Sequence, residues 1–308
     1  MGADWPAEAD ESPEGAPNPR GGGSGHGDQA APAEGRSREE YANRRRAVSN
    51  EHCAEDGAQA EKWEKDAAES RWMWGEYQRR WPPEERSPVD SSADPPGSWR
   101  AHGNKFLDRA NNARVEAACD RIADRERTKI SPAMRQVESQ DADRHLVGFD
   151  NRLKGRDRIK DKVCRSIKNF GRSPEQAISR VPDTVRYTFQ YQEERYVQGV
   201  TADVVRLREQ GFELSKLRNA WSGDQYKGIN SQWVEPDSGQ RFEVQFHTRV
   251  SFEAKQLTHG AYERLRTRQP DKFEQMVLEA FQKKVAADVP VPRDATRIPD
   301  YPERGSHA

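Results

Sequence analysis

Long apolar runs and cysteine are the two things this 308-residue chain has little of. Hydrophobic residues make up 33% of it, charged residues another 33%, and the mean hydropathy is -1.15. No stretch approaches the roughly 20 apolar residues that a membrane-spanning helix needs. The first thirty residues carry acids, prolines and glycines where a secretory leader would need an apolar centre, so a soluble, cytoplasmic chain is expected, with no membrane partner. The three cysteines, Cys53, Cys119 and Cys164, fall in no paired spacing. That excludes a cysteine zinc site and a disulfide framework and points to a reducing compartment. A formal net charge of -1 suggests indifference to polyanions, but it is a sum of opposites. Residues 1–100 hold 13 basic and 21 acidic side chains, and the remaining residues hold 38 and 31. Phosphates belong with the second part.

Composition divides the chain further. Residues 1–36 are mostly Gly, Pro, Ala and acids, including GGGSGHG, with too few aliphatic side chains to offset the entropy of ordering, and read as a disordered leader. Residues 37–80 lack proline and favour helix, although their apolar positions form only a broken stripe. Within them Trp72, Trp74 and Tyr77, with Trp81 just beyond, read either as a docking face for a partner or as anchors on neighbouring parts of the same chain. Five prolines between Trp81 and Gly97 make 81–98 a linker. From 99 to 289 the pattern is that of an α/β (α+β) domain, a mixed β-sheet flanked by helices. Phe106, Leu107, Ala110, Val115, Ala118, Ile122 and Ala123 recur at helical spacing, with a break expected at Ser131-Pro132, where Ser would cap and Pro would occupy the first turn. Strands are expected over 184–191, 212–221, 228–234 and 241–248, with a helix between the first two and further helices after the last. Residues 290–308 read as a loose tail.

Three segments could carry chemistry. Arg152, Lys154, Arg158 and Lys162 fall within eleven residues; on a helix starting near Asp157, Arg158 and Lys162 share a face, so four cations could converge on a polyphosphate. A solvated basic helix has the same pattern. RFEVQFHT alternates: Phe242, Val244 and Phe246 on one face, Arg241, Glu243, Gln245 and His247 on the other. A surface strand alternates likewise, but Glu243 together with Asp183 at the head of another strand would suit Mg²⁺, which takes oxygen donors and keeps much of its water and substrate shell. In DQYKGIN, Tyr226 precedes Gly228, which admits a close approach to the backbone; Tyr226 could face a base or cover the edge of the core. His259 is either a ligand contact or a structural histidine.

Taken in order, these segments resemble the synthetase domain of the RelA/SpoT family, alarmone synthetases of nucleotidyltransferase-like fold. The family's Arg-x-Lys-x-x-x-Ser-x-x-x-Lys pattern is similar to Arg152, Lys154, Arg158 and Lys162, and its magnesium Asp to Asp183. Its Tyr-x-Ser-x-His loop is similar to Tyr226, Gly228 and Asn230, and its Glu-x-Gln-x-Arg-Thr strand to Glu243, Gln245, His247 and Thr248. SFEAKQLTH resembles the helix of the single-domain synthetases that carries a histidine near the place of His259. The motif core spans 140–268. Arg158 stands where the family has Ser, Asn230 where it has His and His247 where it has Arg, and the interval from Asp183 to Arg186 is two residues shorter. HCAED at 52–56 is one residue short of the family's His-Asp hydrolase motif, so no hydrolase domain is expected.

The resemblance implies transfer of the β,γ-pyrophosphate of ATP to the 3′-hydroxyl of a purine nucleotide acceptor, with Mg²⁺ as cofactor. It implies Arg152 against adenine; Lys154, Arg158 and Lys162 on phosphates; and Asp183 and Glu243 on the metal, with Glu243 also a candidate for the hydroxyl proton. Tyr226, Asn230, Gln245, His247 and His259 would serve the acceptor. A disordered leader before such a domain also resembles the layout of toxins, which would imply an antitoxin or immunity partner and, in one variant, the 3′ end of tRNA as acceptor. The competing class is a catalytically inactive nucleotide-binding module.

Overall fold

The computed structural model describes residues 38–82, 94–103, 105–267 and 270–302. The expected leader 1–36, most of the linker 81–98 and the HCAED side chains lie outside what is described. By its internal contacts the chain separates into two units, Met1–Lys62 and Trp63–Ala308. Helix α1 (Arg38–Arg80) supplies the described part of the first unit and continues into the second.

In the second unit, α1 is followed by a small hairpin, β1 (Trp99–Ala101) and β2 (Lys105–Leu107), then α2 (Arg109–Arg125) and α3 (Ser131–Ser139). Next come β3 (Arg144–Leu146), α4 (Arg156–Phe170), α5 (Pro174–Ser179), β4 (Arg186–Tyr191) and α6 (Tyr196–Glu209). The antiparallel run β5 (Glu213–Asn219), β6 (Ile229–Glu235) and β7 (Gln240–Thr248) leads into α7 (Arg249–Thr267) and α8 (Lys272–Ala287). The five-stranded sheet has the order β3-β4-β7-β6-β5, with β4 and β7 its parallel pair. The expected mixed sheet flanked by helices is therefore observed. Among the described residues no helix is long and apolar enough to cross a membrane.

The sheet alternates as a strand must. Tyr187, Phe189, Tyr191, Trp233, Phe242, Val244 and Phe246 form the core face, all buried. The polar face is not a surface, contrary to the ordinary half-exposed strand: Glu243, Gln245 and His247 are buried too. Helix α7 covers them, Lys255 reaching Gln245 and Ser251 reaching His247. A row of polar groups buried this way must be paired internally or offered to a ligand.

Four local expectations change. First, α3 does start at Ser131 with Pro132 in its first turn, but the chain is not broken there. A π-turn, Glu126–Ile130, joins α2 to α3, and Ser131 makes no cap but donates to the buried Glu126 carboxylate. Second, Phe106 and Leu107 belong to β2; α2 starts later, capped by Asp108, whose side chain accepts from the Asn111 amide, and Phe106 and Ala110 are exposed. Third, β3 is an edge strand that the polar sequence RHL does not signal. Fourth, residues 295–302 of the expected loose tail lie along β5. Leu217 and Tyr301 exchange backbone bonds of 2.7 and 2.9 Å, and the Asn219 side-chain amide donates to the carbonyls of Ala295 and Ile298.

The aromatic segment of α1 packs on its own unit. Trp74 stacks on Tyr77 and Phe281 and fills the space above Gly260 of α7, where a Cβ would stand 2.5 Å from its ring. Trp63 donates to Glu253, and Tyr77 to Glu274, which also pairs with Arg264. Burial of such rings contributes about 1.5–3 kcal/mol each. Trp72 alone of the cluster points outward, at 64% exposure.

Candidate active site

The site is built at the start of the parallel pair. Arg186 of β4 stands in register with Glu243 of β7, Thr188 with Gln245 and Gln190 with His247, while Asn230 of β6 is opposite Gln245. Asp183 sits on the 3₁₀ turn immediately before β4. The segment Arg152-Leu153-Lys154 is tied alongside: Lys154 donates its amide to the Thr184 carbonyl, Arg186 its amide to the Arg152 carbonyl, and Leu153 bridges Val185. That backbone clamp delivers Lys154 to Asp183.

Three cations close on the Asp183 carboxylate. Lys154 Nζ lies 2.6 Å from Oδ2, Lys162 Nζ 2.8 Å from Oδ1 and Arg186 Nη2 3.2 Å from Oδ2. Burial alone would push this carboxyl up; Lys154, Lys162 and Arg186 outweigh it and hold it well below the usual carboxylate range. Arg186 also reaches the second acid, its Nε 2.7 Å from Glu243 Oε1, so one guanidinium bridges both carboxylates.

Not all four cations of the basic segment converge here. Arg158 turns to α7 and pairs with Glu263 at 2.9 Å. Arg152 is drawn to Glu126, Nε to Oε1 2.7 Å, and lies over the Phe149 ring at 4.5 Å. Glu126 Oε1 also accepts from Tyr187 and Ser131, so a buried carboxylate at the π-turn fixes Arg152. π-turns are frequent where a functional group must be placed.

Toward β6 the chemistry changes. Tyr226 Oη and His247 Nε2 lie 2.9 Å apart, and His247 Nδ1 is 2.9 Å from Ser251 Oγ. His247 has no exposed surface; burial first, then Lys255 and Arg186, hold its pKa well below the ordinary value, so the ring is neutral. Gly228, at φ 141°, lies against that imidazole, and a Cβ there would be 2.7 Å from Cε1. The close approach anticipated at this glycine is taken by the chain's own His247. Asn230 Oδ1 is buried with no hydrogen-bond partner among the described residues. Gln245 Nε2 donates to Glu243 Oε1 at 2.5 Å, and Lys255 Nζ to Gln245 Oε1 at 2.6 Å. His259 is half-exposed, 3.5 Å from Glu263, its pKa lowered by burial against the pull of Glu263.

Sequence reasoning gave no site role to Arg186, named there only for its interval from Asp183, nor to Lys255 or Glu126. The first was legible as the polar side of RYTFQY, the second only as the residue one helical turn before His259. Among the described residues no three His, Cys, Asp or Glu side chains cluster as a metal cage, so a cation here would take at most the two carboxylates. An open groove of about 560 Å³ lies elsewhere, on α6 with Val205 and Arg293, and contains none of these residues.

No family model matches the chain, and no curated protein matches it in sequence. Its structure is similar to those of small alarmone synthetases. Small alarmone synthetase 1 from Bacillus subtilis, bound to its product pppGpp, is 14% identical, with TM-score 0.37, over 53% of this chain and 86% of that one. A second structure of the same enzyme is 13% identical, with TM-score 0.40, over 60% and 96%. A GTP pyrophosphokinase family protein from Streptococcus pneumoniae is 15% identical, with TM-score 0.35, over 56% and 84%.

Proposed function

We propose that the chain is a nucleotide pyrophosphokinase, moving the β,γ-pyrophosphate of ATP to the 3′-hydroxyl of a purine nucleotide. The observation that carries this reading is the juxtaposition of Asp183 and Glu243 through Arg186, with Lys154 and Lys162 gathered on Asp183. ATP brings about four negative charges, and in-line attack on its β-phosphorus requires charge neutralisation and a fixed acceptor oxygen. Lys154 and Lys162 exchange their carboxylate for phosphate oxygens, and Arg152, steadied by Glu126, holds the adenine side. The O3′–Pβ bond forms, the bond from Pβ to the α,β-bridging oxygen breaks, and AMP leaves with that oxygen.

Both contacts to Glu243 end on Oε1. Oε2 has no partner among the described residues and is the oxygen that accepts the hydroxyl proton. A free carboxylate oxygen beside an acid whose own partners are exchangeable cations also fits Mg²⁺, which binds through one or two carboxylates plus substrate phosphate; the two uses of Oε2 compete, because a metal-bound carboxylate oxygen is a poor base. Asp183 and Glu243 would hold that ion, which when bound supplies neutralisation of the triphosphate. Asn230 addresses the acceptor's sugar and Tyr226 its base, His247 acts behind Tyr226 as its anchor, and Gln245, its amide held between Lys255 and Glu243, serves Glu243.

The test is thin-layer separation of labelled ATP incubated with the protein, Mg²⁺ and, singly, GDP, GTP, AMP, ATP or tRNA. A new labelled nucleotide with release of AMP is expected. Label on tRNA alone, falling steeply with salt, moves the acceptor to RNA. No labelled product with any acceptor overturns the enzyme reading in favour of a binding module.

A further inference from the structure

Lys255 projects from the second turn of α7 under the polar face of β7. It has no carboxylate partner among the described residues; its ammonium donates to Gln245 Oε1 and lies 5.2 Å from the centre of the Phe252 ring. An ammonium is only a donor, so it fixes the amide of Gln245 with oxygen toward Lys255 and nitrogen toward Glu243. The reversed amide would set its oxygen against a carboxylate oxygen. Gln245 therefore passes the lysine's polarity to Glu243, and with Arg186 it occupies Oε1 and leaves Oε2 open. The distance from 245 to 255 is itself fixed, because Thr248 and Ser251 exchange side-chain and backbone bonds at the point where β7 becomes α7.

We infer that Lys255 is a positioning residue for Glu243, acting through the side-chain amide of Gln245. This rests on the role given to Glu243 above. Burial, then Arg186, pull the Lys255 pKa down to about 8 against the attraction of Glu243. The charged and titratable groups around Lys255 are Arg186 of β4, Glu243 and His247 of β7, and His259 on its own helix. His247 and His259, with lowered pKa values, are neutral in the window near pH 8, so among these neighbours Lys255 is the group that changes charge there; Lys154, which burial also pulls down, lies on Asp183 and is unchanged in the Lys255 variants.

The experiment measures kcat and both KM values from pH 6.5 to 9.5 for the full chain and for Lys255→Met, Lys255→Arg, Glu243→Gln and the Lys255→Met/Glu243→Gln double variant, with thermal melting of each. Lys255→Met is expected to lower kcat on the order of 10- to 100-fold with little change in KM, as loss of a supporting hydrogen-bond partner does. Lys255→Arg should restore most of it and move the alkaline fall in rate from about pH 8 to higher pH. Added to Glu243→Gln, Lys255→Met should cost nothing more, since coupled residues are not additive. An inactive Glu243→Gln beside a Lys255→Met of wild-type rate and profile overturns the role of Lys255 alone. So does a Lys255→Met loss confined to the acceptor KM. Glu243→Gln at wild-type rate instead removes the reading on which it rests. If Lys255→Met does not fold, the alkaline shift in Lys255→Arg decides.

Discussion

The two ends of the polar face are stabilised in opposite ways. Around Asp183 every group is charged and each cation already holds an anion, with Lys154, Lys162 and Arg186 sharing one carboxylate. Around Tyr226 the groups are neutral and locked by hydrogen bonds, His247 between Tyr226 and Ser251, with Asn230 Oδ1 left unsatisfied. The first arrangement suits a polyanion that competes for cations already in place. The second suits a sugar or base recognised by shape and single hydrogen bonds, where a mobile charge would blur discrimination. Glu243 stands where the two meet, ion-paired with Arg186 on one side and accepting from Gln245 on the other.

The largest expected effect is on turnover at that junction. Glu243→Gln keeps an oxygen for Gln245 and Arg186 but removes the proton acceptor, so kcat should fall by about 10²- to 10⁴-fold with melting almost unchanged. Asp183→Asn should separate from it on stability. It leaves Lys154, Lys162 and Arg186 facing one another, a loss of about 3 kcal/mol by the scale for breaking a buried ion pair, read by urea unfolding, together with loss of activity.

The two ends should also answer differently to acid. The Asp183 carboxyl is depressed on folding, so its contribution is complete above the unfolded value of about 3.9 and is lost only as pH falls toward the lower folded value. His247 is depressed as a base: below about pH 6.5 the unfolded chain takes up a proton that the folded ring refuses, so stability falls as pH drops. Between pH 6.5 and 5, His247→Gln should flatten the slope of unfolding free energy against pH by up to about 1.4 kcal/mol per unit. Asp183→Asn should leave that slope as it was. Equal slopes in wild type and His247→Gln would mean that the imidazole is charged in the fold.

How much of this was legible in the sequence follows the same division. The alternation of RFEVQFHT gave β7 and the side on which Glu243, Gln245 and His247 stand, and Asp183 was found at the head of the right strand. Spacing could not say where four basic side chains end. Arg152 and Arg158 are diverted by Glu126 and Glu263, carboxylates 26 and 105 residues away in sequence, so only contact order decides. Nothing in the pattern of SFEAKQLTH singles out Lys255, because its burial is set by the strand beneath it. Residues 290–302 read as loose because proline-rich composition says nothing of a free β5 edge that will take their backbone bonds.

The smallest expected effect tests that diversion. Arg158 aligns with the phosphate-binding pattern, yet its guanidinium faces α7 and is 55% exposed, bonded to Glu263. An exposed pair of this kind contributes about 0–1 kcal/mol, so Arg158→Ala should barely move unfolding. If the cation serves only to tie α4 to α7, Glu263→Gln should reproduce the small loss, and the KM for ATP should be the same in both variants. If ATP draws Arg158 away from Glu263, the two variants should diverge: Arg158→Ala raises the KM for ATP several-fold, and Glu263→Gln, which frees the guanidinium, lowers it. The sign of that difference reports whether exchange of a carboxylate for phosphate extends beyond Asp183 to the outer end of α4.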